Sequence, residues 1–214
     1  MSDALQLADL IAARLCHDIG GPIGTLAGTL ELASAEQVAQ AEAVATVNEA
    51  ARDLTRRVRL LRFAWSAEAT PMDVARLEDL AIGAPGADDV RLDVTALRRE
   101  TVFPAAMARI LLNVVLLAAE SLPRGGTLAL ADAGDGQVLA TLTGPRAAWP
   151  PDLAAVIADE AAAWAALAEP RTLLAPLTAL LARRAGIRLS LPMPTGTQRR
   201  RRPPLLIAPA PGSA

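Results

Sequence analysis

The chain carries one histidine, His17, and one cysteine, Cys16, and the two are adjacent. It has no lysine: all 21 basic residues are arginine, so amine chemistry is excluded. One cysteine can form neither an internal disulfide nor a multi-cysteine zinc site. One histidine cannot build a His-rich metal centre. With no second histidine and no catalytic serine nearby, hydrolase and metalloenzyme readings are weak. A lone histidine is more often a packing or surface residue than a functional one; the chemistry it offers here is that of a nucleophile.

The neighbours of His17 suit that use. Asp18 can orient the ring or take its proton. Arg14 either meets a phosphoryl oxygen or pairs with Asp18. Ala13, Gly20, Gly21 and Gly24 stand at i−4, i+3, i+4 and i+7 from His17. Each glycine inside a helix costs about 1 kcal/mol relative to alanine. The physical return is clearance: without side chains there, another protein's surface can come close to the imidazole. The plainer alternative is that the helix breaks at Gly20-Gly21-Pro22.

These residues need a helix to position them. Leu7, Ile11, Leu15, Ile19, Ile23, Leu26 and Leu30 recur every three or four residues and predict a helix over 3–33. On the helical wheel the apolar face centres near roughly 90° and His17 lies near roughly 280°, pointing to solvent. Pro22 removes the hydrogen bond to the Asp18 carbonyl and predicts a kink; the stripe continues beyond it, which argues against a break. Ser34 is expected to cap a second helix, with Gln37 completing a capping box. That helix should reach Trp65. Val44, Val47, Ala51, Leu54, Val58, Leu61 and Trp65 alternate by three and four, a heptad seam. Two such helices make an antiparallel hairpin with more apolar surface than it can cover itself. Pairing with a second copy, a dimeric four-helix bundle, is the expected solution; packing on the rest of the chain is the alternative. The cluster Arg52, Arg56, Arg57, Arg59 and Arg62 is either a solvated face or a contact for an acidic partner surface.

Beyond a linker at 66–71 the pattern is mixed. Strands are expected at Val90–Val94, 127–131, 138–143 and 187–191, with an edge strand at 205–208. Helices are expected at 104–121, 151–168 and 171–185, the last ended by Gly186. The arginine-rich stretch 199–204 reads as a basic loop or a disordered segment. The fold class is α+β: a helical hairpin over 1–68, an α/β domain over 72–208 and a tail over 209–214. The chain is 52% hydrophobic and 21% charged, as globular domains are, and its net charge of −2 argues against bulk binding to nucleic acid. No apolar run approaches a membrane span and the start lacks a basic signal-peptide region, so a cytoplasmic location is expected.

The string Leu15-Cys16-His17-Asp18-Ile19-Gly20-Gly21-Pro22-Ile23 resembles the H-box of two-component histidine kinases. Its Leu-Cys before His-Asp and Gly-Pro after resemble the ChpT-type histidine phosphotransferases of alphaproteobacteria. Residues 113–126, from Asn113 to Gly126, are similar to the N-box of kinase ATP-binding domains. There a second, Mg²⁺-holding Asn would stand at Leu117. The Asp that reads adenine would stand at Leu142 and a motif glycine at Arg146. Leucine can neither coordinate Mg²⁺ nor accept from an adenine amino group. The resemblance implies a degenerate ATPase-like α/β sandwich and a phosphotransferase of cell-cycle phosphorelay, without autokinase activity. It implies His17 as phosphoacceptor and no cofactor on this chain, with Mg²⁺ on a partner receiver domain. It also implies receivers of a hybrid histidine kinase and of CtrA-type response regulators as partners. Two other readings are an atypical ATP-dependent kinase and a dimeric helical adaptor in which His17 is incidental.

Overall fold

The computed structural model describes residues 3–34, 40–66, 69–86, 89–192 and 203–210. Helix α1, Asp3–Ser34, runs through the glycines and Pro22 without interruption. Helix α2, Gln40–Trp65, packs back along it as a hairpin. The Asp18 carbonyl, freed by Pro22, accepts instead from Nη1 of Arg57 on α2 at 3.2 Å. The proline thus creates an acceptor that ties the two helices together. Ser34 does not cap α2. It is the last residue of α1 and its hydroxyl donates to the Leu30 carbonyl at 2.8 Å, a bond that satisfies an orphan acceptor at the helix end. Gln37 lies outside the described residues.

The apolar stripe of α1 is divided between two environments. Leu7, Leu10 and Ile11 pack against Leu167, Leu173 and Leu177 of the same chain. Farther along, Ile23 and Leu30 are about half exposed, as are Val44 and Val58 of the α2 seam. Leu61, at the other end of that seam, is in the main core. The hairpin therefore covers one end of its apolar surface with its own chain and leaves the rest, from Val58 toward the turn, about half exposed.

After the hairpin, β1 (Met72–Asp73) pairs antiparallel with β3 (Val102–Phe103). Between them lie α3 (Val74–Ala81), N-capped by the Asp73 carboxylate, and β2 (Val90–Ala96). β1 and β3 are too short to carry a period; α3, which is not among the expected helices, does carry one, with Val74, Leu77, Leu80 and Ala81 on its buried face. Gly83, just past α3, touches the Arg56 carbonyl so closely that a Cβ would overlap it. Only glycine lets this turn approach α2. Helix α4 (Ala105–Ser121) is apolar nearly all round and runs through the main core, as such a helix must.

The main sheet adds β4 (Gly126–Gly134), β5 (Gln137–Thr143), β6 (Ile187–Ser190) and β7 (Leu205–Pro209), in the order β2-β4-β5-β7-β6. β2 and β4 are parallel, and the other neighbours are antiparallel. Asp135 and Gly136 turn the β4–β5 hairpin at φ 51° and 70°, the primed geometry that matches strand twist. The strand expected at an edge, β7, is internal, because β6 pairs with its outer side. The helix expected over 151–168 is two, α5 (Leu153–Ala158) and α6 (Glu160–Ala165). The chain is extended at Asp159, whose carboxylate accepts from the Ala161 N–H. A 3₁₀ turn, Pro170–Thr172, leads to α7 (Leu174–Arg184), which Gly186 ends at φ 65°.

Candidate functional site

Adjacent positions on α1 place His17 and Asp18 in opposite settings. The His17 side chain is 70% exposed and the Asp18 side chain 6%. Nδ1 of His17 lies 3.1 Å from Oδ1 of Asp18. Against a carboxylate, that contact requires Nδ1 to carry the proton, which leaves the Nε2 lone pair on the solvent side. A Cβ built at Gly20, Gly21 or Gly24 meets nothing within 4 Å. Ala13 and His17 line one wall of a cleft of about 620 Å³, and Glu120, Glu169, Pro170 and Arg171 line the other.

Beneath the histidine, the Arg14 side chain is 8% exposed and makes three polar contacts. Its Nε donates to Oδ2 of Asp18 at 2.8 Å. Its Nη1 donates to Oε1 of Glu120 at 2.6 Å and to the Pro170 carbonyl at 3.2 Å. Of the two roles expected for Arg14, pairing with Asp18 is the one seen. Burial pulls the guanidinium's pKa down, but the bonds to Asp18 and Glu120 outweigh it, and the net shift is upward. Glu120 is also shifted up: burial of its carboxylate exceeds the opposing attraction of Arg14.

Glu120 is the residue the sequence reading passed over, and it had a signal. It is one of two charged residues on α4, the other being Arg109. It also sits near the helix C-terminus, where the macrodipole disfavours an anion. Such a carboxylate needs a cation, and Arg14 is that cation.

The second half joins the hairpin through α4. Asn113, fully buried, donates to the Ala64 carbonyl at 3.0 Å and accepts from the Trp65 indole N–H at 3.1 Å. Nε of Arg109 donates to the same Ala64 carbonyl, and its Nη2 to that of Trp65. The last carbonyls of α2 are thereby capped by side chains of α4. Leu117 and Leu142 both lie in the main core.

An exposed imidazole on a helical hairpin, oriented by a buried carboxylate and joined to an α/β layer, is the arrangement of a histidine phosphotransfer protein. The histidine phosphotransferase C-terminal domain model matches residues 81–196, more than half of the chain, and the chain belongs to that family. It is 28% identical over 197 residues to "Protein phosphotransferase ChpT" of Brucella abortus (strain 2308), covering 88% of this chain and 90% of that protein. A solved structure described as "1.7 Angstrom Structure of a Bacterial Phosphotransferase" has the same fold. Its TM-score is 0.72 at 24% identity, over 97% of this chain and 96% of that one.

Proposed function

We propose that this chain relays phosphoryl groups between receiver domains through a phosphohistidine at His17. The carrying observation is the imidazole itself: held at Nδ1 by Asp18, bare at Nε2, with three open glycines beside it. The donor is the aspartyl phosphate of a receiver, an acyl phosphate. Nε2 attacks phosphorus in line, the bond from phosphorus to the aspartyl oxygen breaks, and the electron pair leaves on the regenerated carboxylate. The Nδ1 proton stays on the ring, where Asp18 balances the positive charge that develops. Transfer to a second receiver reverses these bond changes. Positioning and charge neutralisation supply the catalysis. Mg²⁺ belongs to the receiver in this reading.

The receivers are those of a hybrid histidine kinase and of CtrA-type response regulators, and the setting is cytoplasmic, cell-cycle signalling. No helix among the described residues is long and apolar enough to cross a membrane, which is compatible with that setting. The exposed part of the hairpin stripe pairs with a second copy in a four-helix bundle. The burial of Leu117 and Leu142 supports a chain that does not phosphorylate itself from ATP.

A phosphorylated receiver, mixed with wild type and with His17→Ala, tests this. Label should move to the wild type alone, and neither protein should take label from ATP. Transfer to His17→Ala, or self-labelling from ATP, would overturn the proposal.

A further inference from the structure

We infer that Glu120 is a positioning residue for His17, acting through Arg14 and Asp18, so that the α/β domain completes the phosphoacceptor site by charge. This rests on the reading of His17 as the phosphoacceptor. The chain of contacts is continuous: Glu120 to Arg14 at 2.6 Å, Arg14 to Asp18 at 2.8 Å, Asp18 to His17 at 3.1 Å. Its two ends belong to different parts of the fold. His17, Asp18 and Arg14 stand on α1, and Glu120 on α4.

The charges decide what Glu120 does. Attack by Nε2 makes the ring an N-phosphoimidazolium, so its surroundings must tolerate a new positive charge. Arg14 touches the Asp18 carboxylate, and Arg57 from α2 touches the Asp18 main-chain carbonyl. Two guanidiniums therefore stand against the one carboxylate that faces the ring. Glu120 supplies the second carboxylate and brings the group to balance. Glu169 and Arg171 line the same cleft from the 3₁₀ turn region, but they oppose each other in sign; Glu120, itself 31% exposed at its side chain, differs from them in its direct 2.6 Å contact with Arg14. Without the Glu120 charge, a net positive group would lie behind a ring that must become cationic. Arg14 would then hold Asp18 more strongly and leave it less available to Nδ1.

Phosphoramidate, a small donor that transfers its phosphoryl group to imidazole and releases ammonia, tests this without any receiver. The single histidine makes the product unambiguous. Glu120→Gln keeps an acceptor for Arg14 and removes only the charge; it should slow phosphohistidine formation about tenfold, as coupled charges in one network do. The ¹⁵N resonances of the His17 ring should move away from the Nδ1–H form in the same variant. Glu120→Asp, which keeps the charge, should stay within about twofold of wild type. A Gln variant at the wild-type rate, or one with unchanged ring resonances, overturns the inference. If Glu120→Gln does not fold, an Asp variant as slow as free histidine overturns it instead. A wild type that reacts with phosphoramidate yet takes nothing from any receiver would count against the relay and leave this inference standing.

Discussion

His17 and Asp18 show what one step along a helix does. About 100° of rotation carries the chain from solvent to the face that Arg14 and Glu120 cover, so the imidazole is presented and its partner is shielded. The glycines act at the same scale. Gly21 stands on an uninterrupted helix with open space where a side chain would be. Gly21→Leu should therefore fold with an unchanged or raised Tm, since leucine is the better helix former. It should nonetheless slow transfer severely, because the donor phosphorus must come within about 3–3.5 Å of Nε2. Tm and transfer rate from one preparation check this; unchanged transfer in a well-folded variant would remove the clearance account. Glu120 predicts a pH effect. Burial, only partly offset by Arg14, holds its carboxyl above the ordinary range. The folded state thus binds this proton more readily than the unfolded chain. Its contribution to stability is full below the ordinary carboxylate range and is lost as pH rises through the raised value. Glu120→Gln cannot ionise, so its Tm should gain on wild type as pH rises above about 4.5. A wild type that gains on the variant as pH rises above that value contradicts the assignment. Stability given up at a site that serves function is a common exchange.

At the scale of elements, the joint between α2 and α4 is made by side chains whose partners the motif pattern does not show. Asn113 heads a segment that resembles a nucleotide-site helix, yet its amide is spent on the Ala64 carbonyl and the Trp65 indole. Asn113→Leu strands the half-buried Trp65 indole N–H, while the Ala64 carbonyl keeps its bond from Arg109; the stranded donor costs about 1–3 kcal/mol. A fall in Tm of several degrees is expected by calorimetry. A variant as stable as wild type would mean the joint is held by packing alone. The long elements, α1, α2, α4 and the β4–β5 hairpin, were legible because each carries a period over several turns or a turn signal such as Asp135-Gly136. The strands β1 and β3 were not, because a two-residue strand is fixed by its partner and not by its own pattern; α3 had a signal in its Val74, Leu77, Leu80 and Ala81 face and its Asp73 cap. The break at Asp159 was missed because the alanines around it favour helix on either side.

For the molecule as a whole, periodicity showed that the hairpin has too much apolar surface but could not say what covers it. The chain uses its own residues Leu167, Leu173 and Leu177 at one end, a contact at long sequence separation that no local pattern records. The rest, from Val58 toward the turn with Ile23, Leu30 and Val44, stays about half exposed. A second copy is the proposed cover, and light scattering at micromolar concentration should report a dimer. Leu54→Asp, an unpaired charge at a seam position, should dissociate it. A monomeric wild type would remove the bundle from the account. The site divides in the same way. His17, Asp18, Arg14 and the glycines were legible because they are neighbours in sequence. Glu120, Glu169, Pro170 and Arg171 reach them only through the tertiary fold.

The claim on which the rest depends is that His17 accepts the phosphoryl group at Nε2, because Asp18 occupies Nδ1. The ³¹P and ¹⁵N spectra of the protein after reaction with a phosphorylated receiver separate the two ring isomers directly. The account predicts one acid-labile phosphohistidine with phosphorus on Nε2 and the Nδ1 proton retained. Phosphorus on Nδ1, or on any residue other than His17, would contradict it.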